Sequence, residues 1–190
     1  AVMGDAFARV LFSKDNPSIG LLNIGTEDVK GNEAIKAAAT MLRESEIDLN
    51  FHGYVEGDDI GEGTVDVIVT DGFTGNVALK TLEGTAKMCS HYIKRTFRGS
   101  PLAWIGSLFV MPALCRLRKD IDPRHYNGAM FLGLNGIIIK SHGGSDAVAN
   151  ANAINLAVTM ARHRINEKII EEMVQSCLLY TSDAADELLG

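Results

Sequence analysis

The sequence is poor in cysteine: its 190 residues include only Cys89, Cys115 and Cys177. These three form no C-x-x-C pair, and no group of histidines and cysteines has the spacing of metal ligands. The first residues show neither a basic segment followed by an apolar run nor a cleavage site, so no secretory signal is recognisable. These absences favour a protein of the reducing cytosol and give no sign of a metal centre.

Basic residues are scarcer than acidic ones. The chain has 18 lysines and arginines against 24 aspartates and glutamates, a formal net charge of -6. Because nucleic acid is bound through positive potential, this balance argues against a DNA- or RNA-binding protein. A G-x-G-x-x-G motif is also missing, which leaves a nicotinamide-dependent dehydrogenase as a weak alternative. Hydrophobic residues make up 46% of the chain, enough for the core of one globular unit.

Three segments repeat the order strand, glycine-containing loop, helix. Apolar runs at residues 19–24, 65–70 and 137–140 predict the strands, and the helices that follow reach about residues 44, 97 and 173. This alternation predicts an α/β fold with a largely parallel sheet flanked by helices. Since ligands of such folds bind beyond the carboxyl ends of the strands, the three loops could converge on one crevice.

The third loop, which follows the strand at residues 137–140, carries the most suggestive side chains. Lys140 ends the strand and His142 precedes two glycines. A lysine can balance the charge of a phosphate, and an imidazole can donate a hydrogen bond or carry a proton near neutral pH. The combination favours a catalytic or binding role over a purely structural histidine.

The first and second loops each allow two interpretations. In the second loop, Asp71 or Thr74 could cap the following helix, and in the first loop Lys30 and Asn32 could contact an anion. Backbone N–H groups of glycine-rich loops that open helices can bind phosphate. A capped turn without a ligand explains the same residues, so both interpretations stay open.

A basic and apolar segment lies between Glu83 and Asp120, where the sequence has no acidic residue and seven basic ones. Within it, Pro101–Cys115 is apolar but shorter than the roughly 20 residues that a membrane-spanning helix requires. This segment is predicted to lie on a membrane, with Pro112 breaking it into a helical pair. A buried core helix and a docking surface for an acidic carrier protein are the alternatives. The residues expected to contact the membrane are Leu102, Trp104, Ile105, Leu108 and Phe109.

Three long strings carry a resemblance that is more specific than any single motif. They are LLNIGTEDVKGNE at 21–33, DGFTGNVALKTLEG at 71–84 and YNGAMFLGLNGIIIKSHG at 126–143. Together they closely resemble the phosphate acyltransferase family of bacterial phospholipid synthesis, over about residues 1–173. The resemblance implies a C-terminal part of such an enzyme. Residues 174–190, which continue no periodic pattern, are expected to be a non-native tail.

The resemblance implies a fold like that of isocitrate and isopropylmalate dehydrogenases, a homodimer, and a helical projection at residues 99–119 that faces the membrane. The implied reaction moves a fatty acyl group from acyl carrier protein to inorganic phosphate. The acyl phosphate would then feed a membrane glycerol-3-phosphate acyltransferase. We expect no cofactor, no need for magnesium, and a cytoplasmic protein associated peripherally with the anionic inner face of the cell membrane.

The resemblance also suggests which residues form the site. Phosphate can attack the thioester directly, so no cysteine nucleophile is required. His142 would polarise the thioester carbonyl or protonate the leaving thiolate, while Lys140 and loop amides would hold phosphate. The catalytic candidates are His142, Lys140, Asp71 and Asn76. The candidates for binding phosphate or substrate are Lys30, Asn32, Thr74, Ser141 and Gly143.

Two further readings of the function remain open at this point. A phosphate acetyltransferase that uses coenzyme A would share the chemistry but would not need the basic apolar segment. A membrane-binding fragment without activity is the other reading, because the part of the family's α/β domain that precedes residue 1 would supply part of the active-site cleft.

Overall fold

The computed structural model describes residues 1–45, 47–120, 122, 124 and 127–174. Its helices are α1 (Val2–Phe12), α2 (Glu33–Glu44), α3 (Asp59–Glu62), α4 (Gly72–Arg98), α5 (Pro101–Asp120), α6 (Ala147–Arg162) and α7 (165–174). Its strands are β1 (Ser18–Leu22), β2 (Asn50–Val55), β3 (Val67–Val69), β4 (Ala129–Met130) and β5 (Ile139–Lys140). The tail predicted at 174–190 lies, apart from its first residue, outside the described residues.

A parallel sheet is built around β1. Strands β2 and β3 pair with it in parallel on either side, in the order β2-β1-β3. Ile19 and Leu21 of β1 are buried, as expected for an apolar run in the middle of a parallel sheet. Helix α1 packs against β3 and α2 against β2. The predicted α/β class with a parallel sheet and flanking helices is therefore confirmed, and β1 and β3 lie where strands were expected.

Strand β2 is missing from the sequence prediction, and a bulge explains why. Gly53 has a positive φ of 113°, and the pairing with β1 skips His52, so that Ile19 faces Phe51 and Gly20 faces Gly53. A bulge of this kind interrupts the regular alternation of apolar and polar residues. The strand consequently shows no clear period of two in the sequence.

The third predicted strand is real, but its predicted place in the parallel sheet is wrong. Strand β5 pairs antiparallel with β4, with Ala129 opposite Lys140 and Met130 opposite Ile139. Only eight residues, 131–138, connect the two strands, and this connection contains Gly133 with a φ of 79°. A connection that short makes a hairpin, because a parallel crossover needs a dozen residues or more.

Two apolar clusters hold these elements together. One joins α1, α6 and α7 through the buried side chains of Ala6, Val10, Met160, Ile165 and Ile169. The other lies between the sheet and α2 and contains Leu21, Ala39 and Tyr54. Fully burying a side chain such as Met160 or Ile165 contributes roughly 2 kcal/mol, so both clusters are large stabilising terms.

Helices α4 and α5 follow one another along the chain and contact each other. The chain turns at residues 99–100, after Arg95 and Arg98 have placed positive charge at the carboxyl end of α4. The predicted break at Pro112 is wrong, since α5 runs continuously from Pro101 to Asp120. Pro112 is exposed, so water can serve the helix carbonyl that loses its backbone partner.

Candidate active site

The third loop, residues 141–146, is closed by hydrogen bonds between its own residues. The Ser145 hydroxyl donates to the His142 carbonyl oxygen at 2.5 Å, and the Ser141 and Ser145 hydroxyl oxygens lie 2.8 Å apart. Asp146 then caps α6, because its carboxylate accepts the N–H of Ala149 at 2.9 Å. The loop is therefore a formed turn that leads from β5 into a helix.

The imidazole of His142 is held in one tautomer. Its Nδ1 accepts a hydrogen bond from the Gly144 N–H at 3.2 Å, so Nδ1 is unprotonated and the ring proton is on Nε2. The side chain is exposed, and Nε2–H is therefore available to an oxygen of a bound molecule. In this state His142 is a hydrogen-bond donor.

Lys140 lies next to this donor, at the end of β5, with an exposed side chain. Lys140, Ser141, His142 and Gly143 are thus consecutive residues that run from the end of β5 into the third loop.

Asp71 of the second loop begins α4. Its Oδ1 accepts the N–H groups of Phe73 and Thr74, both at 2.9 Å, and the hydrogen bonds from Thr74 are the main reason that the pKa of Asp71 is lowered. The capping interaction predicted for Asp71 or Thr74 is therefore made by Asp71. Thr74 and Asn76 lie exposed near the start of the helix. A Cβ on Gly75 would lie 2.8 Å from the side chain of Thr70, so the residue that follows β3 packs closely against the first turn of α4.

Asn32 and Lys30 of the first loop are likewise engaged. Asn32 caps α2 by accepting the N–H of Ile35 at 2.9 Å. The Lys30 ammonium lies 2.9 Å from the carboxylate of Glu27, which raises the pKa of Lys30. An anion at this loop would have to compete with Glu27 for the lysine.

Asn23 organises the first loop and was not recognised from the sequence. It is only 7% exposed, and its amide nitrogen donates to the carbonyl oxygens of Gly25 and Lys30, both at 3.1 Å. Gly31 has a φ of 93°, and a Cβ there would clash with the Asn23 Oδ1. The available signal was an asparagine placed directly after the apolar run of β1.

The predicted site residues fall into three sets, one for each loop. Within the described part of the chain, no hydrogen bond or ion pair links a predicted residue of one set to a predicted residue of another. The third loop carries the densest hydrogen-bond network, and its set contains a lysine and a histidine two residues apart. The same portion of the chain contains no group of three or more metal-ligating side chains.

Helix α5 exposes a row of apolar side chains. Leu102 and Phe109 are 79% and 84% exposed, and Ile105 is half exposed between them. Their spacing of three and four residues places them on one face of the helix. The side chains of Trp104 and Leu108 lie outside the described residues. Across the helices that are described, none combines the length and the apolarity needed to cross a membrane.

Comparison with known proteins gives the family. Residues 1–168 match the family model described as fatty acid synthesis protein. A phosphate acyltransferase of Paramagnetospirillum magneticum is 56% identical over 172 residues, which are 90% of this chain and 49% of that protein. Those of Parvibaculum lavamentivorans and Gluconacetobacter diazotrophicus are 52% and 53% identical, over 97% and 91% of this chain. The chain spans about half the length of these relatives. With so much of its length matched, the chain belongs to the fatty acid synthesis protein family.

Proposed function

We propose that this chain is the C-terminal part of an enzyme that transfers a fatty acyl group from acyl carrier protein to inorganic phosphate. The product, an acyl phosphate, would serve phospholipid synthesis. The observation that carries the proposal is the third loop, where Lys140 ends β5 and His142, two residues later, has a ring Nδ1 that accepts the Gly144 N–H and leaves Nε2–H exposed. The relatives' name, phosphate acyltransferase, supports the same reaction.

The chemistry needs little more than positioning and charge stabilisation. A phosphate oxygen attacks the thioester carbonyl carbon, a C–O bond forms, the C–S bond breaks, and the carrier leaves as a thiolate that takes up a proton. Lys140 offsets the charge of phosphate. The Nε2–H of His142 donates to the carbonyl oxygen as negative charge develops on it, the point where a fixed donor accelerates acyl transfer most.

Of the two roles expected for His142, the geometry favours polarising the carbonyl. Protonating the thiolate would need an imidazolium, in which both ring nitrogens carry protons. A proton on Nδ1 would oppose the Gly144 N–H that now donates to it at 3.2 Å. The thiolate would then take its proton from the attacking hydrogen phosphate or from water.

The remaining predicted residues receive more limited roles. Lys30, Asn32, Thr74, Asn76, Ser141 and Gly143 would line the substrate side of the loops. Asp71 would act by holding the start of α4, since its carboxylate accepts the N–H groups of Phe73 and Thr74. A crevice shared by all three loops would require substrate, or another part of the protein, to bridge them.

The finer features of the architecture are also proposals. They are a dehydrogenase-like α/β fold over residues 1–173, a homodimer, and a projection at residues 99–119. The exposed row Leu102, Ile105 and Phe109 supports contact with an anionic membrane surface, with basic residues of the segment facing the headgroups. That contact would place the soluble reaction near the membrane acyltransferase that consumes the acyl phosphate.

Substitutions in the third loop test the proposal. The protein is this chain joined to the N-terminal half of the Paramagnetospirillum magneticum relative, and the assay follows acyl phosphate formation. Lys140→Ala should raise the KM for phosphate. His142→Ala should lower kcat by about 100-fold, the usual effect of removing one oxyanion donor.

Lys168→Ala and His163→Ala are matched controls, because both residues are exposed and lie outside the three loops. They should leave turnover within about 2-fold of the unmodified protein, as is usual for surface substitutions. Full activity in both loop variants would overturn the assignment of the site. Turnover with acyl-coenzyme A but not with acyl carrier protein would favour the phosphate acetyltransferase reading.

A further inference from the structure

Asn127 makes three hydrogen bonds with one side-chain amide. Its Oδ1 accepts the backbone N–H of His142 at 3.0 Å, and its Nδ2 donates to the Ser141 hydroxyl and to the Ala149 carbonyl oxygen, each at 2.8 Å. These bonds use the acceptor and both donor hydrogens of the amide. The side chain therefore ties two residues of the third loop to the first turn of α6.

We call the Asn127 side chain with its three hydrogen bonds the clamp. The backbone that carries it is packed tightly. Gly128 follows Asn127 with a φ of 120°, and a Cβ there would lie 3.1 to 3.3 Å from Leu156, Ala153 and Ile139. The backbone next to Asn127 thus rests against both α6 and β5. Because the amide starts from a fixed backbone, its hydrogen bonds can fix the loop as well.

Capping or local turn formation does not account for these contacts. The three partners lie 14, 15 and 22 residues away along the chain, so the amide bridges separate segments. An aspartate would keep the acceptor for His142 but place a carboxylate oxygen against the Ala149 carbonyl. Asparagine is the residue type that matches one acceptor contact and two donor contacts in this space.

The clamp acts on the imidazole through the main chain of the loop. Asn127 holds the His142 N–H, and the Gly144 N–H holds Nδ1 of the ring. Together these contacts fix where Nε2 lies. If the His142 backbone moved, the Gly144 contact would be lost and the ring could exchange its tautomer.

We infer that Asn127 is a positioning residue that orients His142 for donation from Nε2. The inference rests on the role proposed above for His142. A displacement of about 1 Å at a reacting group can cost 100-fold in rate. Removing the clamp should therefore lower kcat by about 10- to 100-fold while the KM for phosphate, held by Lys140, changes by less than about 3-fold.

The first test needs no turnover. In this chain labelled with 15N, long-range correlation spectra of His142 should show one tautomer with the proton on Nε2. Asn127→Ala should give averaged ring shifts, whereas Asn135→Ala, which removes an exposed asparagine of the β4–β5 connection, should leave them unchanged. Unchanged ring shifts in folded Asn127→Ala would overturn the inference. If that variant does not fold, Asn127→Asp decides: it is nearly isosteric, but its carboxylate is repelled by the Ala149 carbonyl oxygen, which should displace the side chain from the His142 N–H and give the same averaging.

The second test asks whether Asn127 acts through His142. In the active joined protein, the loss caused by Asn127→Ala should nearly vanish when His142 is already alanine, because effects of residues acting as one unit do not add. Equal losses in both backgrounds would overturn the inference even though the proposed function stands. If the joined protein makes no acyl phosphate at all, the proposed function fails, and the ring shifts still decide the clamp.

Discussion

At the scale of single residues, several polar side chains at the ends of loops cap the helices that follow them. Asn32, Asp71 and Asp146 each accept a backbone N–H at the start of a helix, at 2.9 Å. Residue type and position in the sequence predict both a cap and a binding group. The structure distinguishes the two possibilities, because these oxygens already accept helix N–H groups.

Asp71 provides a prediction at this scale. Asp71→Asn keeps an oxygen that can accept the helix N–H groups, so turnover of the joined protein should stay within about 3-fold. Asp71→Ala removes the cap and should lower the free energy of unfolding by about 1 kcal/mol. Urea unfolding and acyl phosphate formation measure the two effects. A loss of about 100-fold in folded Asp71→Asn would instead mean that the carboxylate takes part in the chemistry.

The same scale shows what sequence can predict of the site. Lys140 and His142 were proposed because a cation and an imidazole stand at the end of an apolar run, and their roles stay a prediction. Asn23 and Asn127 were not proposed, because their role depends on carbonyl and hydroxyl partners brought near by folding. The contacts of Asn127 reach as far as 22 residues along the chain, beyond any local pattern.

At the scale of elements, Asp66 joins the start of β1 to the segment before β3. Its Oδ2 accepts from the Lys14 ammonium at 2.5 Å, from the Ser18 N–H at 2.7 Å and from the Ser18 hydroxyl at 2.8 Å. These contacts, with that of Lys14 the largest, lower the pKa of Asp66 from 3.8 to about 2. The ionised carboxylate therefore stabilises the pairing of β1 with β3.

The direction of this pKa shift fixes a pH dependence. Because the pKa of Asp66 is lower in the folded protein than in the unfolded chain, the ionised carboxylate stabilises the fold fully above the unfolded-state pKa of about 4. This stabilisation is lost as the pH falls to the folded-state pKa of about 2. Asp66→Asn should cost about 1 to 3 kcal/mol at neutral pH and progressively less in that acid range. Urea unfolding at a series of pH values measures the difference. A difference that stays constant down to pH 2 would contradict this account, and Lys14→Ala should show part of the same effect.

At this scale, the sequence pattern was sufficient to predict two of the strands. Apolar runs placed β1 and β3, since a strand buried in a parallel sheet is continuous in its apolar residues. The bulge at Gly53 hid β2, and the short connection before β5 decided that strand's antiparallel pairing. Both outcomes depend on backbone geometry at a few glycines, which hydrophobic periodicity does not report.

At the scale of the whole molecule, helices α4 and α5 expose many large apolar side chains. These side chains include Phe73, Leu79, Leu82, Met88, Tyr92, Leu102, Ile105 and Phe109. Contiguous exposed apolar surface usually marks a contact with a partner or a membrane. The row on α5 lies in the segment that has no acidic residue, which favours an anionic surface.

Vesicle binding tests this assignment. The double variant Leu102→Ser and Phe109→Ser should sediment at least about 10-fold less with phosphatidylglycerol vesicles, because two largely exposed apolar anchors are removed. Binding to phosphatidylcholine vesicles should be weak for both proteins. Ile154→Ser, which alters an exposed apolar residue of α6, is the matched control and should bind normally. Equal binding of the double variant and the unmodified protein would contradict membrane contact through this row.

The central claim concerns the reaction, and one measurement tests it most directly. The joined protein is incubated with fatty acyl carrier protein and inorganic phosphate, and acyl phosphate is followed by 31P NMR together with the free carrier thiol. The account predicts that both products appear at equal rates and in equal amounts. A folded protein that releases neither product, or that releases thiol without acyl phosphate, would contradict it.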